Sequence, residues 1–292
     1  MNSSSTHGPK GCQLWLGTSG YSYTEWVDGG FYPRGTRAAQ MLPVYAERFP
    51  VTELNHTWYQ MPRAEATTRQ MGRAPAGFLF AAKLTRSLTH EVDPDLWREQ
   101  AALYREGVAP LAQRGQLAAV LVQLPNSFSR GPDNRRYLAH LLDALRGLPL
   151  AVEFRHSSWA NDKVFAELER REVTLVTVDA PPLRALFPSL DVVTNPKLIY
   201  TRFHGRNGQG WYSGSKQSQF DYDYDDEELG SFIEERLAAM VTSARRGLIF
   251  FNNHVAAQAP RNAESLQRML RRGGYSVVGA ESLEAEQPRL AL

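Results

Sequence analysis

The sequence is short of cysteine: Cys12 is the only one in 292 residues. A lone thiol closes no intrachain disulfide and makes no paired-cysteine zinc site, so both kinds of staple are excluded. Long apolar runs are also missing, since no segment approaches the roughly 20 consecutive apolar residues of a spanning helix. The opening MNSSSTHGPKG has no apolar stretch resembling a secretory signal. A cytoplasmic protein without a membrane partner is therefore expected. Charge of one sign is scarce as well: 33 Lys and Arg stand against 31 Asp and Glu, a formal net charge of +2. No global field draws the chain to nucleic acid or an anionic surface, which leaves only a local basic groove for such partners. No strand runs into a G-x-G-x-x-G turn, so a dinucleotide site is not expected, and no H-E-x-x-H marks a zinc protease.

What is present is a regular alternation. With 42% hydrophobic and 22% charged residues the chain can build a sizeable core. Short apolar, β-branched or aromatic runs recur as CQLWLGTSG, VTELNHTW, FLFAAKL, LAAVLVQLP, LAVEFRH, VTLVTVD, LIYTRFHG and LIFFNNH. Between most of them lie segments with helical spacing, among them RAAQMLPVYAERF, NRRYLAHLLDALRGL, DKVFAELERR and NAESLQRMLRR. Asp133 or Asn134, Asn161 and Asn262 are placed to cap three of these helices. The sixth connection, APPLRALFPSLDVVTNPK, is proline-rich and has the poorest helical spacing. Eight βα units in about 260 residues predict an α/β fold, a single-domain (β/α)8 TIM barrel, with a doubly wound open sheet as the alternative. The expected limits are residues 11–282 for the barrel, with tails at 1–10 and 283–292.

In such a barrel alternate strand residues point inward and the strand C-termini carry the active site. The segment LAVEFRHSSW begins as a core strand yet holds Glu153 and Arg155. Taking both as inward and applying the same alternation elsewhere selects Glu53 and Asn55, Lys83, Gln123, Asp179, Arg202 and His204, and Asn252, with Thr18 or Ser19 on the first strand. These residues are expected to share one mouth. Placing several charges in a purely structural layer would cost more than an apolar layer, and function is the usual reason to bear that cost.

The expected mouth balances Glu53, Glu153 and Asp179 against Lys83, Arg155 and Arg202. Such cations suit a small anionic or sugar-phosphate ligand, because a guanidinium grips phosphate or carboxylate bidentately. The expected catalytic set is Glu153 as first-choice base, with Lys83, His204 and Asp179. Glu53, Asn55, Gln123, Arg155, Arg202, Asn252 and Trp211 are the expected substrate-binding set. No cofactor is predicted. A nearby ammonium and guanidinium repel a cation, which argues against a metal site, although Glu53 with His56, Glu153 with His156, Asp179, His204 and His254 are metal-capable types, so a divalent metal stays an alternative. The loops TSGYSYTEWVDGGFYP and HGRNGQGWYSGSKQSQFDYDYDD offer aromatic platforms or packed lids. FNNHVAAQAPRNAESL puts a helix N-terminus after the last strand, a weak phosphate-site signal. Trp58, Trp97 and Trp159 read as packing residues.

The ordered motifs GTSGYSYTEW, FYP, TELNHTWYQMP, FAAKLTRSLTH, VQLPNSF, VEFRHSSW, VDAP, YTRFHGR, YDYDDEEL and FNNHVAAQAPRNA resemble the YecE-like family, domain of unknown function 72. The resemblance spans about residues 12 to 275. It implies a (β/α)8 barrel related in shape to metal-dependent apurinic endonucleases and sugar isomerases, and it brings no reaction that transfers to these residues. The family's last motif often reads F-N-N-D, and His254 stands here in place of that acid. Three expectations follow. The first is an enzyme, a hydrolase or lyase using acid/base chemistry on a phosphate-bearing or sugar-like substrate, with a nucleic-acid component among the candidates and a metal-dependent endonuclease- or isomerase-like hydrolase as a variant. The second is a non-catalytic nucleotide or nucleic-acid binding protein. The third, a structural barrel, leaves the polar mouth without a purpose.

Overall fold

In a computed structural model, which describes residues 11–284, the chain forms one parallel, curled sheet of nine strands. The strands are β1 (Gln13–Thr18), β2 (Val51–Leu54), β3 (Leu79–Lys83), β4 (Leu117–Gln123), β5 (Leu150–Glu153), β6 (Thr174–Asp179), β7 (Ile199–Phe203), β8 (Arg246–Phe251) and β9 (Ser276–Val277). All eight expected strands form. The ninth is a two-residue addition beside β1. Hydrogen-bonded neighbours run β2-β3-β4-β5-β6-β7-β8-β1-β9. Of the expected tails, residues 1–10 and 285–292 lie outside the described residues, whereas 283 and 284, expected in the C-terminal tail, belong to a short helix, Glu281–Glu284. Among the described residues no helix is long and apolar enough to cross a membrane.

Two apolar layers hold the sheet. On its concave face Val51, Ala81, Leu121, Ala151, Val176, Val178, Tyr200, Leu248 and Phe250 pack together. The other face carries the larger core against helices such as Ala38–Ala46, Trp97–Gln113, Pro132–Ala144 and Gln258–Arg272. Strands apolar on both faces are what a sheet covered by helices demands. The proline-rich connection between β6 and β7 forms no helix. Instead Thr194 and Asn195, near its end, bond to the start of β6, the Thr194 hydroxyl accepting from Leu175 N–H at 2.8 Å and donating to the Val173 carbonyl at 2.7 Å. Helix caps differ from expectation at two of three places. Asn161 does cap, its side chain accepting from Lys163 N–H at 3.0 Å. The helix expected to start at Asp133 or Asn134 is capped by Gly131 with Pro132 in its first turn, where a missing N–H costs nothing. Asn262 lies inside its helix and bonds Tyr224 and Asn253.

The ends of β1 and β2 meet as well. Ser19 bridges Glu53, and Gly20 N–H donates to the Glu53 carbonyl at 2.9 Å. Deeper down, the Tyr45 hydroxyl sits between the two strands, accepting from Thr18 N–H at 2.8 Å and donating to the Val51 carbonyl at 3.1 Å. Gly17 allows this approach: a Cβ there would lie 2.1 Å from the Val51 oxygen and 2.9 Å from the Tyr45 hydroxyl. Gly17→Ala must push β1 aside and is expected to cost about 1–3 kcal/mol. Urea unfolding checks this; a loss below about 0.5 kcal/mol, the scatter of surface changes, would show that the seam yields freely.

Candidate functional site

At the C-terminal ends of β2 to β8 the concave face turns from apolar to ionic. Arg202 is the centre. Its Nε and Nη2 donate to the two oxygens of Glu53 at 2.9 and 2.6 Å, Nη1 donates to Glu153 Oε2 at 2.6 Å, and Nη2 also reaches the Ser19 hydroxyl at 3.2 Å. The Tyr200 hydroxyl adds a 2.7 Å bond to Glu53. All three ionic groups in this bridge across the sheet are buried, with Arg202 only 2% exposed. Burial opposes its charge, but the two carboxylates more than compensate and raise its pKa. Arg202 is thus a clamp between β2, β5 and β7, its donors largely spent on protein.

Arg155 stands differently. Its Nε is 2.6 Å from Glu153 Oε1 without an aligned hydrogen bond, its Nη2 is 3.0 Å from His204 Nε2, and its guanidinium lies 5.6 Å from the centre of the Trp211 ring. A guanidinium only donates, so Nε2 of His204 accepts and Nδ1 carries the proton. The Asn252 amide, 3.0 Å from Nδ1, then turns its oxygen to the ring. Burial first, and then Arg155, push the His204 pKa down to about 3, which keeps the imidazole neutral. For Glu153 burial pulls upward, yet Arg155 and Arg202 outweigh it and hold the carboxyl well below its usual range. A carboxylate so stabilised is a weak base.

These residues form the floor and wall of a cavity of about 740 Å³. Of the expected residues, Glu53, Asn55, Lys83, Gln123, Arg155, Arg202, Trp211 and Asn252 line it. Glu153 and His204 are behind that wall, fully buried. Asp179 does not join them. Val178 and not Asp179 is in register with Arg202, so Asp179 faces the outer layer. There it accepts two bonds from Arg206, at 2.9 and 2.8 Å, and one from the Tyr224 hydroxyl at 2.7 Å. On β6 the inward positions are Val176 and Val178, and the expected alternation was one residue out of phase.

Lys83 has no such partners. It ends β3, is half-buried, lines the cavity, and among the described residues makes no ion pair or hydrogen bond. Its Nζ lies 5.2 Å from the centre of the Trp58 ring. Burial and the repulsion of Arg202 lower its pKa to about 7 against the pull of Glu53 and Glu153. Trp58, expected as packing, is therefore part of the site, while Trp97 and Trp159 are core residues as expected. Neutral acceptors complete the wall. Asn55 Nδ2 donates to the Ser19 carbonyl at 2.8 Å and leaves Oδ1 buried and unpaired, and Gln123 Nε2 donates to the Leu124 carbonyl at 3.0 Å.

Sequence reasoning missed Tyr200, Tyr23 and Glu25. Tyr200 precedes Arg202 by two on the same strand, so following the alternation one step deeper would have found it. Tyr23 stacks on His254 at 4.9 Å, and His254 Nδ1 is 3.1 Å from Glu25 Oε1. At this position, then, an imidazole meets a carboxylate from the first loop. Both long aromatic loops do reach the cavity, through Tyr21, Tyr23, Trp211, Tyr212 and Phe220. The start of the last helix, residues 255–262, does not line it. Among the described residues no group of three or more His, Cys, Asp or Glu could hold a metal ion. The carboxylates nearest the cavity already serve guanidinium donors, and so this set does not fit a divalent cation.

Fold and site together define an α/β protein with a curled parallel sheet and a polar cavity at the strand C-termini. Residues 15–288 match the family described as "Protein of unknown function DUF72". The chain belongs to the DUF72 family. It is similar to the UPF0759 protein YunF of Bacillus subtilis (strain 168), 26% identical over 262 residues that cover 85% of this chain and 93% of that protein. Among solved structures it is similar to a DUF72 family protein, TM1631, from Thermotoga maritima MSB8, with 32% identity, a TM-score of 0.79, and coverage of 89% of this chain and 99% of that one. A second, EF0366 from Enterococcus faecalis V583, matches at 27% identity and a TM-score of 0.79, covering 88% and 95%.

Proposed function

We propose that this protein is a TIM-barrel enzyme whose curled sheet closes through the β1–β2 seam, and that it performs acid/base chemistry at the mouth on an anionic, sugar-like substrate. Lys83 transfers the proton, Arg155 grips the anionic group, and Asn55, Gln123 and Asn252 orient hydroxyls. One observation carries this reading: Lys83 is a cavity amine that faces two guanidiniums and, among the described residues, has no ion pair of its own. An ammonium kept for structure would have a carboxylate partner, whereas one poised near neutrality can give and take a proton. Glu153, buried and paired, supports Arg155 and His204 instead of reacting. The test is a screen of sugar phosphates and sugar acids, followed by Lys83→Met. Turnover is expected to fall by at least about a hundredfold, the usual worth of a general acid or base. It should also rise in the wild type as pH passes about 7, where the amine loses its proton. Turnover unchanged by Lys83→Met would end this reading.

The rim favours a second reading. Tyr59 and Tyr212 are 59% and 63% exposed beside the cavity, as in platforms that stack bases. A protein that only binds nucleotides or single strands would hold a labelled oligonucleotide more weakly as salt rises, and release no product.

A further inference from the structure

We propose that Lys83 forms a covalent imine with its substrate, and that this substrate is an aldehyde or ketone bearing a carboxylate or phosphate. The inference rests on the reading of Lys83 as the reactive group of the cavity and names the bond it makes.

An amine attacks a carbonyl only when neutral, accessible and not held by an acid. Lys83 meets each condition through its neighbours. It lines an open cavity, and both carboxylates within its field, Glu53 and Glu153, are committed to Arg202 and Arg155. Trp58 covers one side of Nζ with an aromatic face. Exposed lysines lack this setting: Lys163 is in solvent, and Lys197 is 2.6 Å from Glu172.

In the step itself, the nitrogen lone pair forms a C–N bond while the C=O π pair moves to oxygen. Proton transfer from nitrogen to that oxygen gives the carbinolamine. The hydroxyl then takes one external proton and leaves as water as the nitrogen pair forms C=N, so amine, carbonyl and one proton become iminium and water. Nothing is oxidised or reduced.

The same surroundings also define the substrate. Guanidiniums that disfavour an ammonium disfavour an iminium equally, so the covalent cation needs a negative charge brought in with it. Arg155 has a cavity-facing guanidinium whose Nη1 makes no hydrogen bond among the described residues, and its side chain is 14% exposed. It is the group to hold that charge, since Arg202 is spent.

Glyoxylate, an anionic aldehyde, and glycolaldehyde, a neutral one, are each incubated with the full chain and sodium cyanoborohydride at pH 7, and adducts are located by peptide mass. Glyoxylate should label Lys83 roughly thirtyfold faster than Lys163 or Lys197, the excess of neutral amine discounted for its lower basicity. Glyoxylate should outpace glycolaldehyde at Lys83 by more than at the two exposed lysines. Labelling at Lys83 no faster than at Lys163 and Lys197 would overturn the imine. Labelling without preference for glyoxylate would overturn the anionic substrate. Acetic anhydride labelling across pH separates this from the underlying reading. An amine that titrates near 7 but is never trapped leaves proton transfer standing and removes the imine. One that titrates near the ordinary lysine value, about 10.4, removes both.

Discussion

Arg202→Leu is expected to cost about 3–5 kcal/mol of unfolding free energy, because it strands the buried carboxylate of Glu53 and takes from Glu153 one of its two guanidiniums. For a chain of this size that lowers the melting temperature by roughly 10 °C. The sign of the pH dependence is also set. In the wild type Glu153 is depressed, so its contribution is present above its unfolded pKa and is lost as pH falls through the folded one. In the variant Glu153 keeps only Arg155, so its carboxyl is held down less firmly against the pull of burial. The deficit of Arg202→Leu should therefore be full near neutrality and shrink as pH falls into the acid range, where the less-stabilised Glu153 of the variant takes up its proton first. Urea unfolding at several pH values measures it. A loss below about 1 kcal/mol, the worth of an exposed pair, would mean that water reaches the cluster.

Lys83→Met is expected to act in the opposite direction on stability. Lysine unfolds to a pKa near 10.5 and folds to one of about 7, so the folded protein must release a proton or hold an unpaired ammonium. Stability gained by the substitution is then full below pH 7, declines between 7 and 10.5, and vanishes above. After discounting for the partial exposure and the Trp58 contact, the gain is about 2–4 kcal/mol near neutrality. Denaturant midpoints at pH 6, 8 and 10 check it, and a gain constant across that range would show that Lys83 does not titrate there. Coupled with lost turnover, a stabilised variant is what removal of a strained functional group produces.

These two cations, alike in the sequence, differ in three dimensions because carboxylates reach one and not the other. The alternation rule brought Glu53, Lys83, Gln123, Arg155, Arg202 and Asn252 to one cavity from six strands. It failed at Asp179, where the outer face also carries a polar network, formed by Arg206, Tyr224 and Arg236. Polarity at a strand end does not by itself say which way the side chain faces when both faces are polar there. Nor could the choice of Glu153 as base survive its two guanidinium neighbours. A carboxylate's strength depends on distances, and none of those distances is written along the chain.

Taken alone, the sequence determined the strand count of the main units, their order, and the faces of most strands. Those follow from local periodicity: a side chain every second residue alternates sides whatever its distant surroundings. Which charge neutralises which was decided only by the tertiary structure. Arg202 and Glu53 are 149 residues apart, and the curl of the sheet brings them within 2.6 Å. Ion pairing depends steeply on such distances and on the exclusion of water, so the same curl that ties up Arg202 leaves Lys83, among the described residues, without an acid, which is the ground for proposing it as the reactive position.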